Sequence, residues 1–283
     1  MKNFEIDLYS YFKIEKPSGA KGCLTCLLPS NSQEISLSRK RPSILILAGG
    51  GYSFVSFREQ ESVALKFLSN GFNAFILNYS CYPNAYPNAF NESAMAMAYI
   101  RKNCGELNAI EDKVASIGFS AGGHLLGCLS TAYNTDKTDF LGKDKRQVRP
   151  DASLYIYPVV TCGEKGHKGS FENLLGDSLN ELKKYFSIEN NVHKDCPPAF
   201  ILSTFNDNSV PVLNSLLLAN AYEKNGVPFE LHVFEKGLHG ASTGEIQSSK
   251  AKSLDYYDLS SYYKKWTDMA ISWLKDRNFM PVD

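Results

Sequence analysis

Three stretches of the chain carry residue types that could together cleave an acyl bond. Gly118-Phe119-Ser120-Ala121-Gly122 reads G-x-S-x-G, a pattern in which small flanking residues let a strand and the following helix approach closely and leave the serine hydroxyl exposed on a sharp turn. A hydroxyl is a poor nucleophile until a base removes its proton, so the motif demands a histidine and a carboxylate to orient it. Of the five histidines, His232 lies inside an expected strand. His124 falls on the first turn after Ser120, where its ring would pack locally, and His167 and His193 fall in an irregular stretch. His239, in Lys236-Gly237-Leu238-His239-Gly240, follows the last expected strand in a loop with two glycines, and is the expected base.

The acid should lie between Ser120 and His239 at a strand end. Asp207 meets that condition, three residues beyond the expected strand Ala199–Thr204 and just before Pro211. Its bland alternative is an Asx-turn; Asp177 and Glu235 compete from poorer positions. An acyl-transfer intermediate also needs donors for its oxyanion, and backbone amides serve best where no side chain blocks the approach. Ala48-Gly49-Gly50-Gly51-Tyr52 follows the first core strand and would supply one part of such a hole, the Ala121 amide the other. The triple glycine lacks the Gly-Lys-Ser/Thr ending of a P-loop and the spacing of a dinucleotide fingerprint. Cys23-Leu24-Thr25-Cys26 is a lone C-x-x-C without a second ligand pair at zinc spacing, so no metal is expected there.

The elements that must position these residues are legible as alternation. From Ser43 onward, short apolar runs at Ser43–Ala48, Asn73–Tyr79, Lys113–Phe119, Ser153–Pro158, Ala199–Thr204 and Phe229–Phe234 are expected strands. Helical periods lie between them, a pattern that builds a mostly parallel sheet covered by helices. Ser56 and Glu59 read as an S-x-x-E capping box, with Val63, Phe67 and Leu68 as the apolar stripe and Gly71 at the helix end. Further helices are expected around Ala94–Ile100, around Leu213–Ala221 closed by Gly226, and over Tyr256–Asn278, where Trp266, Met269, Ala270 and Trp273 recur at helical spacing. The first 42 residues, rich in turn signals, predict an antiparallel hairpin at the sheet edge, with Cys23–Leu28 as one strand. Residues 161–198 exceed an ordinary connection and predict a small cap over a site, with a short helix at Leu179–Phe186. No repeat or linker divides the chain, so one domain is expected over residues 1–283.

Composition narrows the function classes. The 283 residues are 43% hydrophobic and 21% charged, the balance of a globular protein with a substantial core. Thirty basic and thirty acidic side chains cancel, and the densest basic stretch, Lys143–Arg149, is interrupted and flanked by aspartates, so a nucleic-acid partner is not expected. The longest unbroken apolar run, Ala94–Ile100, is far short of the roughly 20 residues that span a bilayer. The first sixteen residues carry acids and no apolar h-region, and seven cysteines suit reduced thiols, so a cytoplasmic location is expected. Tyr79, Tyr82 and Tyr86 would suit a sugar-stacking wall but read first as packing.

With these residues in place the chain resembles the α/β-hydrolase superfamily. The likeness is to its esterase/lipase group, which includes acetyl xylan esterases, hormone-sensitive-lipase-like carboxylesterases and sugar-ester hydrolases. It covers roughly Pro42 to Leu274. Ala-Gly-Gly-Gly-Tyr at 48–52 is similar to the family's His-Gly-Gly-Gly motif, with Ala48 where many members carry histidine. Gly118–His124 resembles its nucleophile elbow, and Asp207 and His239 its acid and base. The resemblance implies that the amides of Gly50, Gly51 and Ala121 form the oxyanion hole, that no cofactor is required, and that the substrate is a small-molecule ester, acetyl foremost, on a carbohydrate. A serine peptidase or an arylformamidase-like amidase would use the same residues, and a non-catalytic scaffold that only binds a small molecule is the reading from another class.

Overall fold

A computed structural model describes residues 1–249 and 262–283. In chain order the elements are β1 (Lys2–Asp7), α1 (Leu8–Phe12), β2 (Cys23–Leu28), β3 (Arg41–Leu47), α2 (Glu61–Leu68), β4 (Asn73–Asn78), α3 (Asn88–Lys102), β5 (Ala109–Phe119), α4 (Ala121–Ala132) and β6 (Ala152–Ile156). They continue through α5 (Lys168–Leu175), α6 (Leu179–Leu182), β7 (Ala199–Thr204), α7 (Leu213–Lys224), β8 (Phe229–Phe234) and α8 (Trp266–Lys275). The eight strands form one sheet in the order β1-β2-β4-β3-β5-β6-β7-β8. Strands β3 to β8 pair in parallel, while β1 pairs antiparallel with β2 and β2 antiparallel with β4.

Each buried strand splits its side chains between two cores, because successive residues point to opposite faces. Leu45 and Leu47 of β3 face the cluster that takes in α3, α4 and α7. Ile44 and Ile46 face the one built with α2 and α8. Helices therefore cover both sheet faces, as parallel strands require. The expected strands all form, with β7 and β8 at the expected bounds; β5 begins four residues earlier than its apolar run, at Ala109. The N-terminal pair is antiparallel as expected, but α1 fills the connection, capped by Asp7 accepting from the Ser10 amide at 2.9 Å.

Two local expectations are corrected. Ser56 and Glu59 do not form a capping box: the Ser56 side chain caps nothing, Phe57–Glu59 is a 3₁₀ turn, and α2 starts only at Glu61. The Glu59 side chain is drawn away by buried donors elsewhere. The short helix expected at Leu179–Phe186 is a single turn, α6, and the segment's longer helix is α5, on which Phe171, Leu174 and Leu175 form the buried face. The C-terminal helix forms as Trp266–Lys275; the first part of the range expected for it, 256–261, lies outside the described residues. Among the described residues no helix is long and apolar enough to cross a membrane.

Helix α4 carries His124 fully buried, its Nε2 bonded to the Phe186 carbonyl at 2.8 Å and its Nδ1 to the Tyr52 hydroxyl at 2.9 Å. A ring that donates from Nε2 to a carbonyl and accepts a hydroxyl at Nδ1 is neutral, and burial pushes its pKa down to about 4. The folded protein resists protonation, so below the ordinary imidazole range the unfolded chain binds the proton first. Stability is unaffected above that range, falls as pH drops through it, and levels off near pH 4. Between pH 7 and pH 5 this residue alone should cost about 2 kcal/mol. Urea unfolding at the two pH values should show that difference in the wild type and a shallower one in His124→Gln.

Candidate active site

The site lies at the carboxyl ends of β3, β5, β7 and β8, where parallel sheets place their ligand crevices. Ser120 joins β5 to α4 with φ 50° and ψ −117°, a conformation that costs on the order of 1–3 kcal/mol for a residue with a side chain. It is held from outside. Its amide donates to the Ile156 carbonyl at 3.0 Å, and its carbonyl accepts from the amides of Val159 at 3.0 Å and His124 at 3.1 Å. The close approach of α4 to the sheet requires Gly122, since a Cβ there would stand 2.1 Å from the Leu47 carbonyl oxygen.

Ser120 Oγ lies 2.8 Å from His239 Nε2, and His239 Nδ1 lies 2.7 Å from Asp207 Oδ2. Asp207 is 6% exposed. Its other oxygen, Oδ1, accepts from the amides of Ser209 at 2.9 Å and Val210 at 2.8 Å. The Asx-turn and the partner of histidine are therefore one residue: one oxygen builds the turn that aims the other. Asp177 sits in the 3₁₀ turn Gly176–Ser178 and Glu235 is exposed just after β8, and neither bonds His239. This arrangement can take the serine proton, hold the resulting imidazolium, and return the proton to a leaving group.

The glycine loop follows β3 directly. Gly50 has φ 122°, and a Cβ there would meet the Phe54 carbonyl oxygen at 2.1 Å, so only glycine fits. Among the described residues no group accepts from the amides of Gly50, Gly51 or Ala121, which leaves them available to an oxygen of a ligand. The loop is held by buried groups that receive or supply hydrogen bonds. Gly49 N–H donates to Glu59 Oε2 at 2.6 Å, the Tyr79 hydroxyl donates to the Ala48 carbonyl at 2.5 Å, and Asn173 of α5 donates to the Gly51 carbonyl at 2.8 Å.

Glu59 is 2% exposed and its second oxygen accepts from the Tyr157 hydroxyl at 2.8 Å. The same hydroxyl accepts from the Ser242 amide at 2.9 Å, and the Tyr157 ring stands edge-on to the His239 ring with centroids 5.0 Å apart. Burial pushes the Glu59 carboxyl up, countered by these two donors and by the nearby His239 and Arg58. One carboxylate thus ties the glycine loop to the histidine loop.

The cleft above Ser120 encloses about 410 Å³ and is bounded by Gly50, Gly51, Ser120, His239, Phe54 and His167, with further polar side chains around them. Among the described residues Phe54, 58% exposed, is the one apolar side chain in its wall. The segment 161–198 therefore does reach the site, through His167, Gly169 and Asn173. Cys23 and Cys26, three apart on β2, point to opposite faces of the sheet, and burial pushes the Cys26 thiol up to about 12.

The family model BD-FAE matches residues 33–222. Among curated proteins, the chain is 36% identical over 206 residues to an endo-1,4-beta-xylanase B of Butyrivibrio fibrisolvens, covering 71% of this chain and 32% of the relative. It is 28% identical over 240 residues to an acetylxylan esterase of Xylanibacter ruminicola, covering 82% and 46% respectively. The chain thus spans about a third to a half of the length of these relatives. Among solved structures, an acetyl ester-xyloside bifunctional hydrolase from Caldicellulosiruptor lactoaceticus superposes with a TM-score of 0.79 at 30% identity, covering 98% of this chain and 97% of the other. The architecture is the α/β-hydrolase fold.

Sequence reasoning places Ser120, Asp207, His239 and the glycine loop together, and the structure brings them together. It assigns no role in the site to Glu59 or His167. Glu59 reads as a helix cap because the groups that donate to its carboxylate lie 10 and 98 residues away in sequence. Removing its carboxylate strands two buried donors, each costing about 1–3 kcal/mol. Glu59→Ala should therefore lower stability by about 2–6 kcal/mol in urea unfolding and lower turnover, whereas Glu59→Gln, which still accepts from Gly49, should lose less of both.

Proposed function

The chain belongs to the BD-FAE family, and we propose that it is a serine carboxylic-ester hydrolase that removes short acyl groups, acetyl foremost, from carbohydrate hydroxyls. The observation that carries this reading is the pair of hydrogen bonds, 2.8 Å and 2.7 Å, from Ser120 through His239 to Asp207 at the strand ends. In the proposed reaction His239 Nε2 accepts the Ser120 proton as Oγ attacks the ester carbonyl, and Asp207 keeps Nδ1 protonated and aimed. The amides of Gly50, Gly51 and Ala121 donate to the oxyanion. Collapse expels the alcohol, which takes the proton from His239, and leaves the acyl group on Ser120. Water, deprotonated by His239, then attacks the acyl-serine and releases the acid. Every proton is handled by side chains of this chain, so the mechanism calls for no cofactor.

The substrate class rests on the cleft and on the relatives. A wall with one apolar side chain among the described residues offers little to a long acyl chain, because burying each methylene needs apolar surface worth about 0.8 kcal/mol. Its hydroxyl, amide, guanidinium and imidazole groups instead suit an alcohol rich in hydroxyls. The relatives are named for xylan, acetylxylan and an acetyl ester-xyloside, which supports acetylated xylo-oligosaccharides as the first substrates to try. We read the chain as one domain with residues 161–198 as its cap.

Hydrolysis of nitrophenyl esters from acetyl to octanoyl, and of acetylated xylo-oligosaccharides, tests the reading. Wild type should be fastest on acetyl, and Ser120→Ala should fall by at least about 10⁴-fold, to background. Retained activity in Ser120→Ala would remove the acyl-enzyme, and turnover of formyl anilides in preference to esters would move the chain to the amidases.

A further inference from the structure

We propose that His167 is a specificity-determining residue whose Nε2–H donates a hydrogen bond to a hydroxyl of the alcohol being deacylated; this rests on the carbohydrate-ester reading above. His167 precedes α5 and caps it, its Nδ1 accepting from the Ser170 amide at 3.2 Å and lying 2.8 Å from the Ser170 hydroxyl. A ring nitrogen that accepts from a backbone N–H carries no proton, so the neutral ring bears its hydrogen on Nε2. Burial and the neighbouring His239 both push the His167 pKa down, which keeps the ring in that neutral form at working pH.

His167 shares the cleft wall with Ser120 and His239. Its Cε1, the carbon bonded to Nε2, lies 3.9 Å from where a Cβ on Gly51 would stand. Nε2 has no partner among the described residues, whereas both ring nitrogens of His124 are engaged. The ring is also held in place: the cap fixes it to α5, and Asn173 fixes α5 to the Gly51 carbonyl at 2.8 Å. A donor with a set tautomer, on a helix bonded to the glycine loop, facing a polar cleft, selects for an acceptor oxygen on the substrate. An ester's alcohol half carries such oxygens when it is a sugar and lacks them when it is a simple ring.

Acetylated methyl xyloside and cyclohexyl acetate present the same ester on six-membered rings with and without hydroxyls. Wild type should prefer the xyloside in kcat/KM. His167→Asn keeps the cap, since asparagine is a strong helix N-cap, but its shorter side chain withdraws the Nε2 donor. In that variant the xyloside-to-cyclohexyl ratio should fall about 5- to 20-fold, mainly through KM, the loss of one hydrogen bond to a substrate. A thermal midpoint near the wild type's will show that the cap survives. If wild type prefers the xyloside and the variant keeps the same ratio, with both substrates slowed equally, His167 is structural and the inference falls alone. If wild type shows no preference for the xyloside, the carbohydrate reading fails and this inference fails with it.

Discussion

The site depends on a backbone conformation that the serine would not adopt by itself. Ser120 sits at φ 50°, outside the regions open to L-residues at low cost. It stays there because both of its backbone groups are committed: the amide to Ile156, the carbonyl to Val159 and His124. The sheet thus spends part of its cooperativity on one turn, and the turn fixes the hydroxyl relative to three other strand ends. That is possible only where β5 is central, flanked by β3 and β6, so that strain at its end is opposed on both sides. A strand at the sheet edge would have relaxed.

Around that turn the buried polar groups form one connected set. Glu59 joins Gly49 to Tyr157, and Tyr157 joins Ser242, three residues beyond His239. The Ser242 carbonyl accepts from Trp266 Nε1 at 3.0 Å, so the histidine loop is anchored to α8 and through it to the core on that face. A buried network is costly when half satisfied and stiff when complete. Here the stiffness falls on the loops that flank Ser120, where an error of an ångström in a donor's position would weaken any charge stabilisation it offers.

What the sequence made legible follows from the range of the forces involved. Strand ends at Thr204 and Phe234, the turn at Gly118–Gly122, and the loop order of Asp207 and His239 are each marked by residues within a few positions. Glu59 was hidden because S-x-x-E is a local pattern, and its outcome was decided by donors 10 and 98 residues away. A local cap offers one exposed hydrogen bond; two buried donors with no other acceptor outweigh it. His167 was hidden for a different reason. Helix α5 begins Lys168-Gly169-Ser170 and its cap is an imidazole nitrogen, so no usual cap residue marks its start, and its apolar stripe, Phe171, Leu174 and Leu175, is short. The signal that could have found it is a histidine followed three residues later by serine inside a long insertion between two core strands.

The division of labour that results is physical. Groups that move protons or meet developing charge in the proposed reaction come from strand ends and the loops directly after them. Groups that would read the alcohol come from the 161–198 segment, which is bonded to the glycine loop by Asn173 at Gly51 and packs Phe171, Leu174, Leu175 and Phe186 into the core beside α4. Its cleft-facing polar side chains, unlike its buried apolar ones, can change without repacking the core that holds Ser120, Asp207 and His239. Selectivity should then vary with this segment while the proposed acyl-transfer residues stay fixed. The cleft's polarity follows the same division: among the described residues its one apolar side chain, Phe54, stands exposed at the loop that carries Gly50.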